Sequence, residues 1–486
     1  MQRAAHTRIA GSDSGFLYIE GETQTSTCTH TVVLAAPAAD QVPLDRARLI
    51  AHLGQRLDRT PMMRRRLQHV PLRVGHPIFV DDPHFDLEAH VRHAELPAPG
   101  GDAEFHDWVA GQTAVRVDVT RALWHVTLLD GLAGGRQALV FAFHHALADG
   151  SALLNVISEL LDDHAPTQPP IATPAQRAPA PARTRVGLFA TTLARQVFVW
   201  LSLPLLLVQT KRRFKAVAAQ REGAATRVPS MSGDAPRTVL NLSADNERGY
   251  ARTHLALDDL RRVRRAAGTT LSDVVLTVIA GALREHLIAA GELPEEPLVV
   301  SVPVSNEDSA APPRVSGNRF CNYYAFLPTP EADPRVRLVA TAANTAEAKS
   351  QLEVQGRNTL ISWLDKIPPA LGYWGAARMT DAHLDTERSP DFNVLVSNLR
   401  APRDAMRLHG RAVEEMIFSG PVANGAGLNI TVVGYDDRLT FALQTNPSAV
   451  PDAAALADRL HDALADLVSV YAPRPTPRHS PEGQVV

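Results

Sequence analysis

The stretch Phe141-Ala-Phe-His144-His145-Ala-Leu-Ala-Asp149-Gly150 puts two histidines, an aspartate and a glycine where an apolar strand gives way to a helix. Leu139, Phe141 and Phe143 alternate with Val140 and Ala142, whereas Leu153, Leu154, Ile157, Leu160 and Leu161 recur at helical spacing across 151–161. Adjacent residues on an extended chain face opposite ways, so one histidine is expected to act and the other to support it. An imidazole, with an ordinary pKa of about 6.5, accepts a hydroxyl proton near neutrality and returns it to a leaving group. Asp149 is suited to balance a nearby cation and fix the turn, and Gly150 to allow a backbone angle or a close approach. A histidine pair is also common in purely structural settings, and the run taken alone leaves both readings open.

Outward from this run, 486 residues exceed one ordinary core and predict two domains. A net charge of -3 gives no reason to expect nucleic acid as a partner. Lysine occurs only at 211, 215, 349 and 366, so the arginine richness reads as codon bias rather than function. Cys28 and Cys321 form no close pair, which excludes a cysteine-only zinc site and argues against a disulfide-built secreted scaffold. The first residues lack the apolar core of a signal peptide, so a reducing, cytoplasmic setting is expected.

Residues 165–183 are Pro/Ala-rich without hydrophobic period and read as an exposed linker. The run 197–208 that follows is apolar, shorter than the roughly 18 to 20 residues of a membrane span, interrupted by Pro204, and trailed by Lys211, Arg212, Arg213 and Lys215. Two readings stand: an interfacial helix on an anionic membrane or lipid body, or a helix buried between domains. Further on, Thr270 or Ser272 is a candidate N-cap for the apolar helix that Gly291 ends. Strands are expected at 298–304, 323–327, 427–434 and 439–444, a polar loop at 306–318, a helix at 451–471, and a disordered tail from 472. The domain scheme is 1–164, a linker with the apolar/basic segment at 165–237, 238–472, and a tail at 473–486.

Several separated motifs then read together. Phe85-Asp86-Leu87, His90-Val-Arg-His93, Leu96-Pro97, Pro99-Gly100, Arg121-Ala-Leu-Trp124, His144-His145 with Asp149-Gly150, Ser272-Asp273, Pro303-Val304-Ser305, Gly317-Asn318, Leu327-Pro328, Val396-Ser397-Asn398 and Leu428-Asn429-Ile430-Thr431 form an ordered series. This series resembles the bacterial wax ester synthase / acyl-CoA:diacylglycerol acyltransferase family over about residues 9–452. The resemblance implies an α/β fold of two chloramphenicol-acetyltransferase-like domains around a central tunnel, with no covalent enzyme intermediate and no cofactor beyond acyl-CoA as substrate. It implies His145 as general base, His144 as its neighbour and Asp149 as a structural brace bridging to an arginine not identifiable from sequence. Gly150, Trp124, Asn318, Asn429 and Thr431 are the expected substrate-side residues. Diacylglycerol or a long-chain alcohol would be the acceptor, and the inner-membrane surface or lipid inclusions the place of peripheral attachment.

The sequence departs from that pattern at Ser272 (commonly Asn), Ala122 (Pro) and Asn306 (Arg), none of which is the base. Competing readings are weaker. His84, Asp86, His90 and His93 are close enough to suggest a metal, with His90 and His93 at i, i+3 spacing. No G-x-S-x-G elbow occurs, and Gly425-Ala-Gly427 lacks the third glycine of a dinucleotide loop. A condensation role lacks a carrier domain, and a catalytically weak lipid-binding or lipid-body protein remains the alternative from another class.

Overall fold

A computed structural model describes residues 6–161, 184–230, 233–243, 245–307, 311–379, 389–401 and 405–471. The whole of the expected Pro/Ala-rich linker at 165–183 and all of the tail at 473–486 lie outside these residues.

The apolar alternation of 136–144 becomes a strand whose residues 137–144 are buried, as a central strand covered on both faces requires. It lies in a six-stranded mixed sheet built from β2 (Thr27–Leu34), β5 (Val91–Glu95), β6 (Trp124–Leu132), β7 (Arg136–His144), β12 (Arg407–Leu408) and β13 (Arg411–Ser419), in the order β12-β13-β2-β7-β6-β5. Two of these strands come from beyond residue 400, so the expected unit 238–472 contributes to both halves of the molecule. The second sheet has the order β10-β9-β11-β14-β15-β8 and is also mixed. Its strands are β8 (Gly249–Ala256), β9 (Leu298–Ser305), β10 (Phe320–Leu327), β11 (Val394–Arg400), β14 (Leu428–Tyr435) and β15 (Arg438–Thr445). The expected hairpin is present, β14 running antiparallel to β15. The sheets meet where β13 packs against β14 and β15. A small third sheet, β1-β4-β3, joins β1 (His6–Arg8), β3 (Arg65–Gln68) and β4 (Ile78–Asp81).

Helices bury their apolar stripes against these sheets. Helix α4 (Gly150–Leu160) starts at Asp149, whose carboxylate caps Ala152 N–H at 3.0 Å, an interaction worth about 1 kcal/mol. In the second half α8 (Leu271–Ala289) packs between α9 (Pro334–Gln355) and the terminal helix Ala453–Tyr471. Thr270, not Ser272, is the α8 cap: it and Asp273 bond each other's backbone N–H reciprocally. Gly291, with φ of 70°, follows the end of α8 as expected.

The apolar/basic segment forms α5 (Arg185–Leu201) and α6 (Leu203–Gly223), bent by 43° at Ser202. Pro204 sits in the first turn of α6, where its missing N–H costs nothing. Among the described residues no single helix is long and apolar enough to cross a membrane. The reading of a buried interdomain helix is not met, because Phe198 and Leu201 are 73% and 71% exposed.

Candidate active site

Strand β7 delivers the two histidines into different surroundings. His144 N–H donates to Leu123 O on one side, and His145 N–H to Ser26 O on the other. The His144 side chain is fully buried. Its Nδ1 accepts the Ala146 N–H at 3.0 Å, and its Nε2 lies 3.3 Å from Glu20 Oε2. Glu20 is itself held by Ser26 N–H at 2.8 Å. His144 is therefore tied to the turn through Nδ1, with the Glu20 carboxylate beside Nε2.

His145 is only partly covered, and its ring stacks on Phe16 at 3.8 Å between centroids. Its Nδ1 is buried and has no hydrogen-bond partner among the described residues. Burial drives the His145 pKa down to about 4; its own carbonyl, the Asp149 carboxylate and the Asn318 side chain push back less strongly. The imidazole is thus neutral throughout the physiological range.

Asp149 is saturated. One carboxylate oxygen caps α4; the other accepts from Arg314 Nη2 at 2.7 Å and from Arg319 N–H at 2.8 Å. The arginine the sequence could not supply is Arg314, whose guanidinium also bonds Glu307 and the carbonyls of Ser316 and Gly317. Gly317, at φ of 77°, accepts Asp149 N–H at 3.2 Å and donates to Leu147 O at 2.8 Å. Loop 311–319 is in this way laced to the histidine loop by backbone and side chain together. Asn318 joins it through Nδ2, which donates to His145 O at 2.9 Å, while its N–H donates to Asp13 Oδ1 at 3.1 Å. Asp13 is buried on α1 (Gly11–Tyr18), and burial pushes its pKa up to about 6.

The remaining expected site residues are dispersed. Gly150 gives close approach: a Cβ there would meet Leu399 Cδ1 at 2.7 Å. Trp124 is 1% exposed in the first core, its indole N–H on Met63 O at 2.6 Å and its ring stacked on His90. Asn429 and Thr431 lie buried in β14, where Asn429 donates to Pro421 O at 2.8 Å and accepts from Thr431 Oγ1 at 3.1 Å. No hydrogen bond links any of these three to His145. Asn306 bonds Asn358, and Ala122 is buried beside Arg66.

The histidines of 84–93 face different partners. His90 bonds Trp124 O at 2.6 Å, and His93, already in β5 rather than a helix, pairs with exposed-side Asp130 at 2.7 Å. No group of metal-ligating side chains converges among the described residues. Sequence reasoning missed Asp13, Phe16 and Glu20, all on or just after a short N-terminal helix, and Arg314 in an aperiodic loop. Only the polarity of 306–318 signalled the last.

Two mixed sheets, the first completed by β13 from the C-terminal part of the chain, with a histidine pair at the end of β7, define the acyltransferase fold also used by condensation domains. The first condensation domain of the CDA synthetase superposes with a TM-score of 0.57 at 17% identity, over 96% of this chain and 97% of that one. The wax ester synthase/diacylglycerol acyltransferase of Marinobacter aquaeolei VT8 superposes with a TM-score of 0.65 at 26% identity, over 95% and 99%. Residues 9–275 match the wax ester synthase/diacylglycerol acyltransferase catalytic domain, and residues 316–468 the WS/DGAT C-terminal domain. A Mycobacterium tuberculosis H37Rv protein named for diacylglycerol O-acyltransferase activity is 30% identical over 97% of this chain and 92% of its own. A Mycobacterium bovis counterpart is 32% identical over 98% and 94%. The chain belongs to the WS/DGAT family and is an acyltransferase.

Proposed function

We propose that the protein moves a long-chain acyl group from acyl-CoA to the hydroxyl of diacylglycerol or a long-chain alcohol, with His145 as general base. His145 Nε2 takes the hydroxyl proton, the oxygen attacks the thioester carbonyl, and the C–S bond of the tetrahedral adduct breaks. The CoA thiolate then recovers the proton from Nε2, so atoms and charge balance without a covalent enzyme intermediate or a cofactor. A thioester is already activated, which leaves orientation and one proton transfer as the enzyme's share. The observation that carries this reading is the Phe16-stacked His145 at the end of β7, kept neutral by burial and with its Nδ1 buried and unbonded among the described residues.

Purified protein incubated with labelled palmitoyl-CoA and either dioleoylglycerol or hexadecanol should yield labelled neutral lipid. Undiminished product from His145→Ala would remove the base from the mechanism. A second reading concerns place: the exposed apolar residues of α5 and the start of α6, followed by basic residues at 211–215, support peripheral attachment to an anionic membrane or lipid body. Such attachment would bring the enzyme to acceptors that do not leave the bilayer.

A further inference from the structure

Phe198, Leu201 and Leu205 are 73%, 71% and 63% exposed around the bend between α5 and α6, with Trp200 and Val208 half-exposed beside them. Contiguous apolar exposure of this kind marks an interaction surface. Directly below it, a cavity of about 320 Å³ opens between α6 and residues 358–366. Leu205 and Leu206 line one side of the cavity; Ser202, Thr210, Thr359 and Ser362 supply hydroxyls, and Arg213 and Lys366 supply positive charge. Arg213 bonds Thr359 Oγ1, and Lys366 Nζ donates to Ser202 Oγ at 2.7 Å. Both cations are thus held by neutral hydroxyls, and among the described residues no carboxylate lies within ion-pair distance of either. Asp365, next to Lys366, turns its Oδ1 to Gly11 N–H at 2.5 Å.

We propose that this cavity binds the phosphate headgroup of one anionic glycerophospholipid of the bilayer, its acyl chains lying along the apolar stripe of α5 and α6. The proposal rests on the peripheral attachment argued above and gives it a defined site. Two cations and several hydroxyls around one concavity suit an anion with several acceptor oxygens. The volume is that of a small-ligand pocket. The apolar stripe continuing from its mouth is what separates a lipid from free phosphate or CoA, either of which would use the cations and leave the stripe bare. Lys211, Arg212 and Lys215 on the same helix add long-range attraction to an anionic leaflet. The floor of the cavity is also mechanically connected to the catalytic centre. Residues 361–365 pack on α1, and α1 carries the Phe16 ring that covers His145.

Flotation of the full-length protein with phosphatidylcholine vesicles, with and without phosphatidylglycerol, tests this. Wild type should float with the phosphatidylglycerol vesicles, and Arg213→Gln/Lys366→Gln should lower its partitioning about tenfold or more. Lys211→Gln/Lys215→Gln, which removes the same charge outside the cavity, should lower it by less. Gln209→Glu breaks no hydrogen bond seen in the structure, places a negative charge in the cavity lining, and should reproduce the loss in a protein with unchanged melting. Equal losses from the cavity pair and the outer pair would overturn the cavity site while leaving peripheral attachment standing. Displacement of vesicle-bound protein by free CoA would reassign the cavity to CoA phosphates and overturn the lipid. Equal binding to neutral vesicles would also overturn it, and failure of wild type to float at all would sink the attachment reading and the site together.

Discussion

Two loops build the candidate site, and they are made on different principles. The loop at 144–150 is short, follows a buried strand, and nearly every polar group in it has one identifiable job. His144 locks the turn, Asp149 caps a helix, and Gly150 admits Leu399. The loop at 311–319 has no periodicity and no helix to cap, yet it supplies Arg314, the Gly317 backbone, Asn318 and the Arg319 N–H. In the proposed mechanism the first loop presents the base and the second holds it still. A reaction limited by placement depends on both, because small misplacements of reacting groups are costly.

The largest effect tests the presenting loop. His145→Ala should cut turnover of acyl-CoA by about a hundredfold to ten-thousandfold with little change in melting temperature. The same residue predicts an unusual pH profile. With its pKa lowered by burial to about 4, the acid limb of kcat/KM should fall near pH 4 to 5 rather than near 6.5. Folding must be followed in parallel. His30, His106 and His125 are also held down by burial, to about 3, 4 and 3. Groups lowered in the folded state keep their full contribution above about pH 6.5 and lose it as pH falls toward these values. Circular dichroism at each pH separates lost base from lost fold; an acid limb at 6.5 with the fold intact would contradict the burial argument.

The holding loop is tested next. Arg314→Met removes the partner of a buried carboxylate and should destabilise the protein by about 3 kcal/mol, read by urea denaturation. It should lower kcat as well, since Asp149 then loses its tie to the second half of the molecule. Asp149→Asn keeps the cap acceptor but turns an NH2 group toward Arg314 and the Arg319 N–H, so it loses the ion pair and the Arg319 bond together. In the double variant the losses should be well short of additive. Additive losses would mean that the two loops act independently, and the contrast drawn between them would collapse.

How far this division was legible follows from the kind of signal each loop carries. Strand β7, α4, the β14/β15 hairpin and the Thr270 cap announce themselves by period and by cap chemistry, because those forces act between near neighbours. The exchange of β13 into the first sheet was not legible, since an apolar strand fits either sheet and only tertiary packing chooses. Asp149 was readable as a brace, but its partner lies 165 residues away in an aperiodic loop. Trp124 is a different case: a motif residue expected beside substrate has its N–H on Met63 O and its ring packed in the core. Asp13 carried no signal, because a single carboxylate on an eight-residue helix looks like surface until its burial is seen.

Asp13 extends the holding side of the comparison and gives a smaller effect of opposite sign. Its pKa is raised in the folded state from 3.8 to about 6, so its contribution to stability is complete below pH 3.8 and lost as pH rises through 6. Asp13→Asn keeps an acceptor for the Asn318 N–H and removes the buried charge. Melting at pH 7.5 should therefore rise, by an amount of order 1–3 kcal/mol, and at pH 4 should hardly move. A variant less stable at pH 7.5 would mean that the carboxylate's charge itself holds Asn318.

The smallest effect probes the point where the two halves touch directly. An alanine at Gly150 would place its Cβ 2.7 Å from Leu399 Cδ1, closer than real Cβ atoms come, and 3.1 Å from Cδ2. The obstacle is the end of a flexible side chain rather than backbone, so Leu399 can rotate aside at a cost of about 1 kcal/mol. Gly150 opens α4, where alanine is itself the better helix former by nearly 1 kcal/mol. The two terms almost cancel in stability. They do not cancel in position, because a displaced Leu399 pushes the start of α4, and Asp149 with it, away from β11. Gly150→Ala should therefore melt within about 1 °C to 4 °C of wild type while its kcat falls severalfold. Adding Leu399→Ala should restore turnover without restoring the lost packing, since the clash is gone but a cavity replaces it. Turnover left low in that double variant would place the function of Gly150 in its own backbone rather than in the contact between the halves.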